Sequence, residues 1–188
     1  MEAGQSDAGM LDCEAMGSGS LLADGDPALP RCVVLITGMS GTGKSSVLAE
    51  LGRRGHRVVD TDEPGWILDP QATEPLWDLQ RIRGLLGQHR AGWLFVAGCV
   101  ANQGAVYDRF DAVVLLSAPL DTLLERVAHR ANPFGATPQD QAKIASDLAA
   151  YEPLLRAGAD HEIVTTAAVT DVAAALEGLA ATAHRIRS

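Results

Sequence analysis

The clearest chemical signal in the sequence is the string Gly38-Met39-Ser40-Gly41-Thr42-Gly43-Lys44-Ser45, a complete GxxxxGK[ST] pattern. Glycines let the backbone wrap closely around a phosphate, so that successive N–H groups and the next helix N-terminus point at it. Lys44 would neutralise outer phosphate oxygens, and the Ser45 hydroxyl would be a Mg²⁺ ligand. The alternative is a glycine-rich turn with a chance lysine. Because the string lies between an apolar run and an amphipathic stretch, we favour a nucleotide-binding loop that extends to Ser46.

Two carboxylates, Asp60 and Asp62, come at the end of the second apolar run. If that run is a strand, both lie at its carboxyl end, the edge where α/β sheets hold ligands. The alternative is a solvated turn, in which aspartate is common. The pair is therefore a candidate for metal binding and proton transfer beside the loop.

Two classes of nucleotide-binding protein are disfavoured. A GTPase would need an NKxD string to read guanine, and the asparagines after the third apolar run stand in ANQG and ANP strings. A motor or AAA-type ATPase would usually carry an acidic residue at the end of the third run, which instead reads Val96-Ala97-Gly98-Cys99. We therefore expect neither a GTPase nor an AAA-type ATPase.

The elements that must position these residues follow from hydrophobic patterning. Continuous apolar runs are typical of strands covered on both faces. The expected strands are Cys32–Thr37, Arg57–Asp60, Trp93–Gly98, Ala112–Ser117 and Glu162–Thr166. The expected helices are Lys44–Arg54, Glu74–His89, Leu120–Ala131, Pro138–Ala157 behind a Thr137 cap, and Asp171–His184 behind Thr170. This alternation predicts an α/β fold with a parallel sheet.

The chain of 188 residues, 47% of them hydrophobic, suits one domain with a sizeable core. Residues 1–30 are rich in Gly, Ser, Asp and Ala and hold six acids and no base, which predicts a disordered acidic leader before a single domain at 31–188. Without that leader, 15 basic residues face 18 acidic ones. Because no basic stripe is visible, we expect no nucleic-acid partner.

The cysteine pattern indicates a reducing compartment. Three cysteines occur without CxxC spacing, and Cys99 is best interpreted as a small buried residue rather than a nucleophile. No continuous apolar run is long enough to span a membrane, and the start of the chain lacks a signal-peptide pattern. We expect a cytoplasmic protein, a monomer or homodimer, without a membrane partner.

Taken together, these residues resemble the shikimate kinase, gluconate kinase and adenylate kinase group of small P-loop kinases. The resemblance covers residues 32 to about 170 and rests on the phosphate loop, the Asp60-x-Asp62 pair, Gly98 after the third run, and the arginine-bearing stretch 123–130. It implies a three-layer P-loop kinase fold, with a five-stranded parallel sheet in the order 2-3-1-4-5. Helices would cover both faces, and a short lid would lie at about 126–140.

The same resemblance implies roles at the site. ATP would be the nucleotide; Asp62 would act on the acceptor hydroxyl as base or orienting group, and Asp60 would hold Mg²⁺ through water. Arg126 and Arg130 would be lid cations over the phosphates, or else part of a solvated helix face. Arg156 would lie against the nucleotide or cap its own helix.

The acceptor would lie between the second strand and the helix that follows it. Arg81 or Arg83 could clamp an anionic acceptor, because a guanidinium matches a carboxylate or phosphate, or both could be surface arginines. Gly98 and Asn102 would face the acceptor from the third strand. For Asn102 the alternative is a helix N-cap with Gln103 facing solvent.

The sequence thus predicts an ATP- and Mg²⁺-dependent kinase acting on a hydroxyl of a small metabolite or natural product. A nucleoside-monophosphate kinase is the first alternative, although it needs an arginine-rich acceptor pocket. A nucleotide-binding P-loop regulator without a metabolite acceptor is the second, and for it the Asp60-x-Asp62 pair would be incidental.

Overall fold

The computed structural model describes residues 30–128 and 137–187, with only the backbone of 184–187. Five parallel strands form one sheet in the order β2-β3-β1-β4-β5, as predicted. Their bounds are β1 Cys32–Thr37, β2 Arg57–Asp60, β3 Trp93–Ala97, β4 Ala112–Ser117 and β5 His161–Val164.

Helices connect the strands. Their bounds are α1 Lys44–Arg53, α2 Leu79–Gln88, α3 Leu120–Ala128, α4 Pro138–Gly158 and α5 Val169–Arg187. A 3-10 helix at Gln103–Arg109, which the sequence analysis did not predict, lies between β3 and β4. Because parallel strands need crossovers, this order of elements is what the alternating pattern requires.

The core has two parts, one on each face of the sheet. In β1, the side chains of Val34 and Ile36 pack with α1 and α5, whereas Val33 and Leu35 pack with α2 and the 3-10 helix region. All residues of β1, β3 and β4 are buried. This double coverage explains why the sequence shows continuous apolar runs rather than alternation.

Several boundaries differ from the sequence-based expectation. The helix α2 begins at Leu79 instead of 74, because the Asp78 carboxylate accepts hydrogen bonds from the N–H groups of Gln80 and Arg81 and caps it. The strand β3 ends at Ala97, so Gly98 lies beyond it. The strand β5 and the helix α5 each begin earlier than expected.

The start of α4 agrees with the prediction. The Thr137 hydroxyl accepts from the Asp140 N–H, and the Asp140 carboxylate accepts from the Thr137 N–H, which forms a capping box. The expected lid falls partly on residues 129–136, and the expected leader on 1–29. Both segments lie outside the described residues.

No helix within the described parts of the chain is long and apolar enough to cross a membrane.

An ion-pair cluster joins α4 to the edge of the sheet. Arg156 contacts Glu152 at 2.7 Å and Glu162 at 2.8 Å, and the Ser117 hydroxyl donates to Glu162 at 2.6 Å. These donors, Arg156 first, lower the pKa of Glu162 from 4.5 to about 2. Arg156 is thus engaged with two carboxylates.

This cluster predicts a pH-dependent stability difference for Glu162→Gln. Because the folded-state pKa of Glu162 is depressed, its contribution is fully present above an ordinary glutamate pKa of 4.5 and is lost as pH falls towards about 2. We expect the variant to unfold at lower urea concentration than wild type at pH 7, with the difference shrinking below pH ~4. The exposed Glu74→Gln variant is the control; a difference that is constant with pH would contradict the assignment.

Candidate active site

The phosphate loop connects the end of β1 to α1, and its shape requires glycine at two places. Gly38 and Gly41 have φ values of +148° and +94°, which side-chain-bearing residues rarely adopt. A Cβ on Gly38 would lie 2.3 Å from the Leu116 carbonyl oxygen. The loop is therefore packed against the end of β4 and cannot accept a larger residue there without moving.

Lys44 lies across this loop. Its Nζ donates to the carbonyl oxygens of Gly38 at 2.7 Å and Met39 at 3.3 Å. The Thr42 hydroxyl also donates to the Met39 carbonyl, at 2.8 Å. The ammonium group is consequently held at the mouth of the loop, where a phosphate would meet it.

Ser45 and Asp60, which the sequence analysis assigned to Mg²⁺, lie together. The Ser45 Oγ donates to Asp60 Oδ2 at 2.9 Å, so the first turn of α1 meets the end of β2. A hydroxyl and a carboxylate are the oxygen donors that Mg²⁺ takes, with water and phosphate oxygens completing its shell. The residue types and their contact therefore fit the ion.

Across residues 30–128 and 137–187, no group of three or more His, Cys, Asp or Glu could hold a metal by itself. A Mg²⁺ ion bound through nucleotide phosphates needs one or two protein ligands and not such a cluster.

Asp62 stands beside these groups in an open cavity of about 240 Å³. The cavity is lined by Met39, Ser40, Gly41, Gly43, Lys44, Ser45, Asp62 and Cys99. Desolvation by the cavity walls raises the pKa of Asp62 above its ordinary value. The positive charge of Lys44 opposes this rise, and the negative charge of Asp60 adds to it. Cys99 is half-buried and lines this cavity, so the expectation of a buried cysteine was wrong.

A second cavity, of about 380 Å³, lies on the other side of the loop. It is lined by Gly41, Thr42, Gly43, Ser46, Val47, Arg126, Thr165, Ala167, Val169 and Val172. Arg126 from α3 donates to the Gly41 carbonyl at 3.4 Å, to the Thr165 hydroxyl at 2.9 Å and to the Thr165 carbonyl. Arg126 thus ties the loop to the segment between β5 and α5, whereas Arg130 lies outside the described residues.

A buried hydrogen-bond network, which the sequence analysis missed, fixes the residue between the two aspartates. The Thr61 side chain is fully buried, and its hydroxyl donates to the Ala97 carbonyl at 2.7 Å and accepts from Trp77 Nε1 at 2.9 Å. Its N–H also donates to the Ala97 carbonyl, at 2.9 Å. Thr61 therefore holds the end of β2 against the end of β3.

Asn102 closes this network instead of facing an acceptor. Its Oδ1 accepts from the Trp77 N–H and its Nδ2 donates to the Trp77 carbonyl, both at 3.0 Å. A Cβ on Gly98 would lie 2.1 Å from Thr61 Oγ1 and 2.7 Å from the Trp77 ring. Gly98 and Asn102 thus pack against Thr61 and Trp77. No sequence motif indicates this role.

Gln103 also differs from its expected position. The alternative that placed it in solvent was wrong: its side chain is buried, accepts from the Thr37 hydroxyl at 3.2 Å and donates to Tyr107 at 2.9 Å. Asn102 occupies the N-cap position of the 3-10 helix but makes no side-chain cap there. These bonds connect the last residue of β1, just before the phosphate loop, to the helix after β3.

Both arginines that the sequence analysis assigned to the acceptor lie on α2. Arg81 Nη1 donates to the Gly65 carbonyl at 2.7 Å, and its guanidinium carbon lies 4.5 Å from the centre of the Trp66 ring. Arg83 is exposed on α2. Neither is among the residues that line the cavity beside Asp62.

The Thr61 network predicts a matched pair of stability effects. Thr61→Val keeps the shape but leaves Trp77 Nε1 without its buried acceptor, so we expect a loss of about 1–3 kcal/mol in the free energy of unfolding. Thr61→Ser retains the hydroxyl and should lose less. Urea denaturation followed by tryptophan fluorescence measures both; equal losses in the two variants would show that the hydroxyl is not what matters.

Comparison with known proteins bears on this site. The sequence model of the AAA domain family matches residues 34–144, which is more than half of the chain. The match gives the family of the domain; the end of β3 lacks the acidic residue that a motor or AAA-type ATPase would usually carry there.

Solved structures with a similar fold include small kinases. Shikimate kinase from Acinetobacter baumannii, solved with shikimate, is 21% identical with a TM-score of 0.57 over 81% of this chain and 93% of that one. Shikimate kinase from Bacteroides thetaiotaomicron is 14% identical with a TM-score of 0.52 over 79% and 97%. A gluconokinase from Sinorhizobium meliloti 1021 is 21% identical with a TM-score of 0.50 over 83% and 95%. At these identities the likeness establishes the P-loop kinase fold.

A local sequence match is found to HPr kinase/phosphorylase from Xanthomonas campestris and from Xylella fastidiosa. Each is 47% identical over an alignment of 58 residues, and the match covers 28% of this chain and 18% of the relative. The chain thus spans about a fifth of the length of these curated relatives.

Proposed function

This chain belongs to the AAA domain family, and we propose that it is an ATP- and Mg²⁺-dependent kinase that phosphorylates a hydroxyl group of a small metabolite or natural product. One observation carries the proposal: Lys44, Ser45 and Asp62 line one cavity, and Asp60 contacts Ser45 at its edge. These positions support a phosphate site, a pair of Mg²⁺ ligands and a carboxylate for the acceptor, all at the carboxyl edge of the sheet.

The nucleotide would occupy the cavity of about 380 Å³ on the side of Arg126, with its phosphates in the loop. Backbone N–H groups from Gly38 to Ser46 and the N-terminus of α1 would bind the phosphate oxygens. Lys44 would exchange its two carbonyl partners for phosphate oxygens, and Arg126, already beside Gly41, would add positive charge.

Mg²⁺, when bound, neutralises charge on the phosphates and so favours phosphoryl transfer. Ser45 would hold it directly, and Asp60 through water. Because their side chains already lie 2.9 Å apart, ion binding needs no large rearrangement of α1 or β2.

Asp62 would orient the acceptor hydroxyl and take its proton as the oxygen attacks the terminal phosphorus. The Thr61 network holds this carboxylate by fixing the preceding residue to β3. Phosphoryl transfer depends mainly on positioning and on surrounding cations, so Asp62 is the one side chain that would need to exchange a proton in the reaction.

The alternatives make different demands on the site. A nucleoside-monophosphate kinase would need arginines free for the acceptor phosphate, yet Arg81 is engaged with Gly65 and Trp66. A regulator would bind ATP without an acceptor.

We also propose that the reaction takes place in the cytoplasm and that the protein is a monomer or homodimer.

The test is Mg²⁺-dependent ADP release against hydroxylated metabolites, sugars, nucleosides, nucleoside monophosphates and antibiotics. One class of acceptor should raise ADP release and yield a phosphorylated product. ATP binding without stimulation by any acceptor would favour the regulator instead.

Two substitutions separate the roles within the site. Lys44→Ala should lower turnover by at least about 10²-fold, because it removes charge stabilisation of the transferring group. Asp62→Asn should lower kcat by about 10²–10⁴-fold while ATP affinity changes less than about twofold. Steady-state kinetics and calorimetry with ATP measure these effects, with Asp108→Asn as an exposed control. Retained turnover in Asp62→Asn would remove the base from the mechanism.

The raised pKa of Asp62 predicts the acidic limb of the pH profile. Because desolvation raises that pKa above the ordinary 3.8, kcat/KM should fall on acidification at a pH above 3.8, as the carboxylate takes up a proton. Asp62→Asn should abolish this limb in its residual activity. A limb that persists in the variant would assign it to another group.

A further inference from the structure

The cavity that contains Asp62 is poor in positive charge. Among the described residues that line it, Lys44 is the one cation, and the proposed reaction uses it for phosphate. Asp62 brings a carboxylate to the same wall. An acceptor in this cavity therefore meets a negative group, and the described part of its lining offers no cation besides Lys44.

Arg81, which could supply that cation, is committed elsewhere. Its guanidinium donates to the Gly65 carbonyl and stacks on Trp66, so that it stabilises residues 60–78, the acceptor-side segment. A Cβ on Gly65 would lie 2.6 Å from Arg81 Nη1, which shows how closely the two are packed. Arg81 therefore binds groups of this segment and not a carboxylate or phosphate ligand.

The other described arginines near this end of the sheet have different positions. Arg83 is exposed on α2, Arg109 pairs with Asp108 at 3.3 Å, and Arg126 lies in the nucleotide cavity on the far side of the loop. None of the three is among the residues that line the cavity of Asp62.

The segment on the acceptor side adds negative charge. Residues 60–78 contain six acids and no Lys, Arg or His. Asp60 accepts a hydrogen bond from the Ser45 hydroxyl, Asp69 accepts one from the Gln71 N–H, and Asp78 caps α2. Asp62, Glu63 and Glu74 are exposed. Their summed field repels anions and attracts cations.

We infer that the acceptor of the proposed kinase carries no carboxylate or phosphate where it enters this cavity: it is a neutral or amine-bearing hydroxyl compound. This inference rests on the proposed function and narrows its substrate class. Opposite charges on a binding site and its ligand favour the right partner, whereas like charges brought close together exclude the wrong one.

The test compares acceptors that share a skeleton and differ in charge. Glucosamine, glucose and glucuronate, which share a pyranose ring, form one set, and cytidine and cytidine monophosphate form another. We expect ADP release with kcat/KM at least about tenfold higher for the neutral or cationic member of a set than for its anionic member. Lys44→Ala is the blank.

The outcomes separate the two proposals. Equal or better use of glucuronate or the monophosphate would overturn the charge inference and leave the kinase proposal standing. If ATP binds but no acceptor of either charge exceeds the Lys44→Ala blank, the kinase proposal fails and the inference fails with it.

A charge variant outside the catalytic groups sharpens the test. Glu63→Lys should lower kcat/KM for glucosamine by about threefold or more, leave glucose nearly unchanged, and weaken the salt dependence of the glucosamine reaction. Asp108→Asn, outside the 60–78 segment, is the control. Equal changes for glucose and glucosamine would show a structural effect and would contradict the inference.

Discussion

Burial of the three central strands on both faces is the constraint on which the arrangement of the site depends. Because β1, β3 and β4 are buried throughout, they leave no room for charged side chains along their length. Polar and ionisable groups can therefore appear only where these strands end. The groups of the candidate site cluster at one edge of the sheet, where the phosphate loop follows β1, Asp60 ends β2 and Asp62 lies just beyond it.

At this edge, the buried Thr61 lies between the two aspartates, to which the proposal gives different roles. Thr61 points into the protein and bonds to Ala97 and Trp77, while Asp60 contacts Ser45 and Asp62 faces the cavity. Thr61 and Asp62 lie in the turn that follows β2, in which the Asp62 N–H donates to Asp60 Oδ1 at 3.1 Å and the Glu63 N–H donates to the Asp60 carbonyl at 3.3 Å. The network then keeps the two carboxylates in fixed relation to the phosphate loop.

The arginine side chains account for several of the differences between the ligand contacts expected from the sequence and the contacts found in the structure. The resemblance to small kinases assigned Arg81, Arg83 and Arg156 to ligands, but the structure gives Arg81 a carbonyl and an indole ring, and Arg156 two carboxylates. An exposed guanidinium has five donors and a long flexible stem, so nearby acceptors compete for it. The spacing of arginines along a helix does not reveal which hydrogen-bond acceptor lies nearest to each of them in the folded protein.

The sequence by itself determined the strands, most helices and the phosphate loop, because strand burial and the glycine–lysine string are local properties of consecutive residues. Asp60 and Ser45 were also predictable as partners, since parallel topology brings the end of β2 to the start of α1. Only the tertiary structure decided that Asn102 and Gly98 pack against Trp77 and Thr61, because these contacts join segments far apart in the chain. The physical reason is that a side chain with several possible hydrogen-bond partners takes those that folding leaves within reach, and reach is a property of the whole fold.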